Sequence, residues 1–85
     1  MKILTDPKKR GKLRDALQAL IQREGNHSPA RMRDLQAYAL IRLEGVDAAE
    51  EQLDRLGVQS RQHADHIVEE VTNDLGIVGY HENGR

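Results

Sequence analysis

Residues 60–76 read SRQHADHIVEEVTNDLG and hold the clearest helical pattern of the chain. Their aliphatic residues recur at spacings of three and four, so a helix places them in one stripe. Ser60 is a good N-cap, and Gly76 is typical of a helix end. We therefore predict an amphipathic helix over 61–75 whose stripe packs against other helices. The stripe consists of Ala64, Ile67, Val68, Val71 and Leu75.

Two longer helices are predicted upstream, over 7–24 and 29–44. Each begins with a capping residue followed by proline, a pair that suits helix entry, and each ends at a glycine. The first helix has one apolar stripe, which contains Leu13, Leu17, Leu20 and Ile21. The second is apolar on several sides, as is typical of a helix that is central or lies at an interface. One of its faces consists of Met32, Leu35, Ala39 and Leu43, and Ile41 points to the opposite side.

A short third helix is predicted over 48–56. Asp47 and Glu50 have the spacing of a capping box at its start, and Gly57 closes it. The core residues expected here are Ala49, Leu53 and Leu56. Residues 76–85 are expected to form an extended tail. Four helices joined by short turns predict an all-α fold, a small bundle that forms a single domain over 1–85.

Composition excludes several classes of function. The 85 residues contain no Cys, which removes disulfides, thiolate metal sites and a Cys nucleophile. No apolar run approaches the length of a membrane span, and the first four residues do not predict a signal peptide. The expectation is a cytoplasmic protein that has no cofactor, does not contact membranes and binds no small-molecule substrate.

The charge of the chain is divided between its two halves. Residues 1–43 carry ten Lys or Arg and four Asp or Glu, a balance of +6. Residues 44–85 carry three Arg and ten Asp or Glu, a balance of −7. Such asymmetry bears on partners and on association rather than on the fold.

The leading hypothesis is a protein–protein interaction module, a regulator or inhibitor whose partner is another protein or a second copy. Tyr38 and Ile41 are its predicted anchors, because interfaces favour a few buried anchors inside a polar rim. The rim would consist of Arg31, Arg42 and Glu44. The alternative is that Tyr38 and Ile41 are buried within the monomer.

A second hypothesis is DNA binding. Residues 52–67 resemble the helix-turn-helix motif of bacterial repressors and activators, provided that Gln59 is one extra turn residue and that Ala64 and Ile67 point inward. The resemblance implies that the second helix of the motif reads the major groove. Its acidic residues oppose phosphate contact. The reading residues would be Ser60, Arg61, Gln62, His63 and His66.

A basic stretch near the start offers a candidate phosphate-binding surface. Alternatively, it is a solvated face, or it pairs with the acidic half of the same chain or of a second copy. The stretch contains Lys8, Lys9, Arg10, Lys12 and Arg14.

Metal binding and catalysis have little support in the sequence. His63, His66 and Glu70 share one arc of a helix and are a conceivable metal site, although such spacing is common by chance. A helical domain of this size rarely encloses a pocket that perturbs acid–base groups, so we expect no enzymatic activity.

Overall fold

The computed structural model describes residues 3–77 and Gly79. This part of the chain folds into four α-helices and contains no strand, which confirms the predicted all-α bundle. None of these helices combines the length and the hydropathy needed to cross a membrane. The helices are α1 (Pro7–Glu24), α2 (Pro29–Glu44), α3 (Glu50–Arg55) and α4 (Arg61–Ile77).

Side-chain caps begin the three longer helices, and they explain why α1 and α2 start where the sequence predicts. Asp6 Oδ1 accepts the backbone N–H of Lys8 at 2.9 Å. The hydroxyl oxygen of Ser28 accepts from the N–H of Arg31 at 3.1 Å, and that of Ser60 accepts from His63 at 3.0 Å. Each bond satisfies an N–H group that has no partner inside its helix.

Two predicted helix ends are wrong. The α3 helix starts at Glu50 with Ala49 as its N-cap, because residues 46–49 form turns, so Asp47 and Glu50 make no capping box. The α4 helix continues through Gly76 to Ile77, since a glycine within a helix weakens it without ending it. The rest of the predicted extended tail lies outside the described residues.

The core is built around α2, which packs on both α1 and α4. The predicted stripes of α1 and α4 are confirmed: Leu13, Val71 and Leu75 are fully buried. Aliphatic side chains supply most of the buried volume, and each contributes about 1.5–3 kcal/mol to folding. The remaining buried apolar residues of these two helices are Leu17, Leu20, Ala64 and Ile67.

The segment before α1 is tied to the end of α2. The Leu4 N–H donates to the Arg42 carbonyl at 2.9 Å, and the Leu4 side chain is buried. Arg10 Nη1 donates to the carbonyls of Leu4 at 2.9 Å and Leu43 at 2.8 Å. These bonds satisfy two carbonyls in the last turn of α2, those of Arg42 and Leu43, and a cation there is also favoured by the helix dipole.

Candidate functional site

The face of α2 that we assigned to a partner is the face that packs inside the molecule. Tyr38 is 0% exposed and Ile41 is 3% exposed. The Tyr38 hydroxyl accepts from Arg42 Nη1 and lies 3.5 Å from Thr72 Oγ1 of α4. The prediction that Tyr38 and Ile41 are surface anchors is therefore wrong, and the alternative, burial within the monomer, holds.

Arg42 was predicted at the rim of that interface, and the structure corrects this as well. The residue is only 1% exposed. Its guanidinium carbon lies 5.5 Å from the centre of the Tyr38 ring, within cation–π range. Its long side chain thus completes the core beside Tyr38.

The opposite face of α2 forms the floor of an open groove. The groove has a volume of about 570 Å³ and runs between α1 and α3. Its apolar lining consists of Ala39, Leu40 and Leu43 from α2 and Leu56, the residue that follows α3, all partly buried. These side chains contact the core on one side and solvent on the other. The groove is therefore a shallow apolar surface on the folded chain.

Polar and charged side chains surround this floor. The α1 wall contributes Arg10 and Arg14, and the α3 wall contributes Gln52 and Arg55. From α2 come Gln36 and Glu44, so Glu44 is the one predicted interface residue that lines the groove. Three cations and one carboxylate make the rim basic.

The three rim arginines differ in how their charge is used. Arg10 is held by the two carbonyls described above. Arg55 pairs with Glu51 at 2.8 Å, and both side chains are about three-quarters exposed (74% and 78%), so the pair is weak. Arg14 is exposed and forms no ion pair with any residue in the described ranges. Arg14 and Arg55 are therefore available to an anionic ligand.

Arg31, predicted as a rim residue, joins three helices instead. Its guanidinium forms ion pairs with Glu24 at the end of α1 and with Asp74 of α4, the latter at 2.6 Å. Glu70 lies further away, at 3.5 Å. The hydrogen bonds that Arg31 donates to Glu24 lower the pKa of the Glu24 carboxyl and raise the pKa of the Arg31 guanidinium. At this point the basic half of the chain meets its acidic half.

The cations of the basic stretch in α1 do not all have the same environment in the structure. Lys8, Lys9, Lys12 and Arg14 are exposed and make no ion pair with a described residue. Arg10 is partly buried and binds backbone carbonyls, so it does not belong to an open basic surface. Of the exposed cations, only Arg14 lines the groove, and the three lysines add positive charge elsewhere on α1.

The α3–α4 hairpin has the inward residues expected of the helix-turn-helix resemblance. Ala64 and Ile67 are each 2% exposed, and Val58 in the turn is 5% exposed. Gly57 has φ +88°, a conformation that L side chains rarely adopt, and Gln59 is an exposed extra residue of the turn. Of the predicted reading residues, His63 is partly buried and the others are exposed, namely Ser60, Arg61, Gln62 and His66.

The charge of this hairpin opposes nucleic acid. Residues 47–77 carry eight carboxylates and two arginines. A depression of about 770 Å³ between α3 and α4 is lined by four of these carboxylates, those of Asp47, Glu50, Glu51 and Asp54. Phosphate contacts supply much of the affinity for DNA, and this surface repels phosphate.

The histidines do not assemble a metal centre in the described part of the chain. There, no group of three or more His, Asp and Glu side chains has an arrangement that could hold a metal ion. His66 Nε2 lies 3.4 Å from Glu70, an ordinary helical pair one turn apart. His27 Nε2 contacts the Ile21 carbonyl at 2.8 Å, and its Nδ1 lies 3.3 Å from Glu24, so it joins the turn between α1 and α2.

The groove was not predicted, because Tyr38 and Ile41 were expected to face a partner and they lie in the core instead. The sequence does show a second face on this helix, on which Gln36 lies beside Leu40 and Leu43. Nothing in this spacing distinguishes a core face from a groove. Comparisons of the chain with protein-family models, curated proteins and solved structures find no match. Function is therefore inferred from geometry and charge.

Proposed function

We propose that this chain is a small non-enzymatic interaction module, a regulator or inhibitor, that binds another protein through the groove between α1 and α3. The observation that carries the proposal is the row of partly buried apolar side chains on the outer face of α2. Its floor consists of Ala39, Leu40, Leu43 and Leu56.

The shape and chemistry of the groove resemble those of helix-in-groove recognition. In that mode an amphipathic helix lays its apolar face on a hydrophobic floor, and polar side chains at the margin set its orientation. Here α2 supplies the floor, while α1 and α3 supply the walls. Covering the leucines would remove apolar surface from water, which is the main favourable contribution to most protein association.

The proposed location in the cytoplasm is based on the composition of the chain. The chain contains no Cys, so its fold requires no disulfide bond. This agrees with a module that works in the reducing cytoplasm.

Paired capture experiments test the proposal. The wild-type chain, Leu43→Glu and Gln62→Glu would be immobilised and exposed to lysate of the native host. We expect proteins retained by the wild type and by Gln62→Glu, an exposed α4 control, to be lost with Leu43→Glu. Circular dichroism first establishes that each variant is folded. Equal retention by all three chains would show that the groove is not the binding surface.

DNA binding remains the second candidate, because the α3–α4 hairpin buries the inward residues that the resemblance requires. The acidic surface of the hairpin weighs against it. The test is duplex DNA at low salt, with Arg61→Ala and Gln62→Ala combined as the variant. Binding that weakens with salt and is abolished by the double substitution would support DNA binding through the hairpin. The absence of binding to any duplex would exclude this second candidate function.

A further inference from the structure

We infer that the partner of the groove is an acidic amphipathic helix of another protein, with aliphatic residues on one face and Glu or Asp beside them. This inference rests on the proposed function and adds the chemistry of the partner. It follows from the charges of the rim, from the shape of the floor and from the surface of the chain itself.

The charge at the walls selects an anionic partner. Arg14 has no ion pair with a described residue, and the Arg55–Glu51 pair is exposed and therefore easily exchanged. Among the described residues that line the groove, Glu44 is the only one that carries a carboxylate. Carboxylates on both sides of an apolar stripe would meet Arg14 on one wall and Arg55 on the other.

The floor selects a stripe of aliphatic side chains. Leu40 and Leu43 lie on adjacent turns of α2, and Leu56, just after α3, extends the apolar surface sideways. A helix presents apolar residues at spacings of three, four and seven, which suits an elongated floor of this kind. A basic amphipathic helix would fit the same floor, but its charges would oppose those of the walls.

A second copy of the chain is a poor occupant. The large apolar side chains exposed on the described surface are Ile3 before α1, Met32 of α2 and Ile77 at the end of α4, and they form no helical stripe. The acidic outer face of α4 carries Asp65 and Glu69 without an apolar anchor. Packing two grooves face to face would bring like-charged arginine walls together. The occupant is therefore expected from a different protein.

A displayed library of helical peptides tests the inference. All members would share one apolar stripe and carry Glu, Gln or Lys at random at the polar positions. Selection against the full chain is expected to enrich Glu at least fivefold over Lys, and this preference should fall as salt is raised. Selection against Leu43→Glu, and against the milder Leu40→Ser, is the parallel control for the groove.

A charge-reversal pair measures the selectivity without disturbing the core. Gln36 is exposed at the rim, so Gln36→Lys and Gln36→Glu change only the charge there. An enriched acidic peptide should bind Gln36→Lys at least fivefold more tightly than Gln36→Glu. Removing both wall charges with Arg14→Gln and Arg55→Gln should weaken the binding of this acidic peptide by roughly tenfold.

The outcomes separate this inference from the proposed function. Enrichment of neutral or basic peptides that is lost with the groove variants would overturn the acidic partner and leave the groove as a binding site. No enrichment over the groove variants would overturn both. Self-association in light scattering that Leu43→Glu abolishes would make a second copy the occupant and would also overturn the inference.

Discussion

Replacing Arg31 by methionine should destabilise the fold, because this one side chain joins three helices. Met keeps much of the aliphatic volume and removes the guanidinium. The side chain of Arg31 is 16% exposed, and those of its partners Glu24 and Asp74 are 26% and 31% exposed. The ion pairs are thus shielded more than a surface pair and less than a buried one.

The magnitude follows from this intermediate burial. Hydrogen bonds between charged groups contribute about 1.5–3 kcal/mol when shielded, and exposed pairs contribute about 0–1 kcal/mol. We assign about 1 kcal/mol to each of the two close partners and little to Glu70, whose side chain is 46% exposed. The expected loss for Arg31→Met is about 2 kcal/mol. In a domain of this size that corresponds to a fall in Tm of roughly 8–16 °C.

Urea and thermal unfolding followed by circular dichroism measure this loss. Arg33→Met is the matched control, since Asp34, at 2.9 Å, is the only described residue with which Arg33 forms an ion pair, and Arg33 lies on the same turn of α2. It should cost less than about 0.5 kcal/mol. The reasoning would be refuted if both variants lost the same stability, or if Arg31→Met matched the wild type. A double-mutant cycle with Asp74→Asn should show a coupling of about 1 kcal/mol.

Three further predictions concern the core, a turn and pH. Tyr38→Phe should lower the free energy of unfolding in urea by about 1–3 kcal/mol, because Arg42 loses a buried hydrogen-bond acceptor. Unchanged stability would contradict a stabilising role of this hydrogen bond. Gly45→Ala should lower the free energy of unfolding by about 1–3 kcal/mol in the same assay, because essentially only glycine adopts φ +93° with ψ 155°. Unchanged stability would show that the turn relaxes to accept alanine. Because Arg31 lowers the pKa of Glu24 from its ordinary 4.5, the stability that the carboxylate provides is complete above that pH and is lost as the pH falls through the lowered value. The free-energy difference between wild type and Glu24→Gln should therefore be constant near neutral pH and shrink below about 4.5, and a difference that grows on acidification would contradict this sign.

Local chemistry made the helices predictable. Asp6 before Pro7 and Ser28 before Pro29 are strong start signals, and the structure begins α1 and α2 at those prolines. The stripe of α4 has one apolar side and one charged side, so its orientation followed from the sequence. Errors occurred where the signal was weak, as at α3, where backbone turns replaced the capping box expected at Asp47.

The orientation of α2 could not be predicted for a physical reason. A helix with apolar residues on several sides has two possible core faces, and propensity does not distinguish them. Tertiary packing determines which face is buried. The Tyr38 side chain packs against α4, where its hydroxyl contacts Arg42 and Thr72. Leu40 and Leu43, on the opposite side of α2, therefore face outward. The basic rim of the groove could not be predicted either, because Arg14 and Arg55 lie about 40 residues apart in the sequence and come to the same groove only in the folded chain.

The central claim is that α2 directs Tyr38 and Ile41 into the core and Leu40 and Leu43 into the groove. Because the chain contains no Cys, single cysteines report this orientation directly. Four variants would be labelled with a thiol reagent under native conditions and, as a control, in denaturant. They are Ala37→Cys and Ile41→Cys on the inner face, and Leu40→Cys and Leu43→Cys on the outer face.

Ala37 is 0% exposed, so a thiol there reacts only when the chain opens. The prediction is rapid native-state labelling at positions 40 and 43, and labelling at 37 and 41 that is slower by orders of magnitude. All four should react alike in denaturant. Protection of Leu40→Cys and Leu43→Cys together with rapid labelling of Ala37→Cys and Ile41→Cys would contradict the orientation of α2 and, with it, the groove.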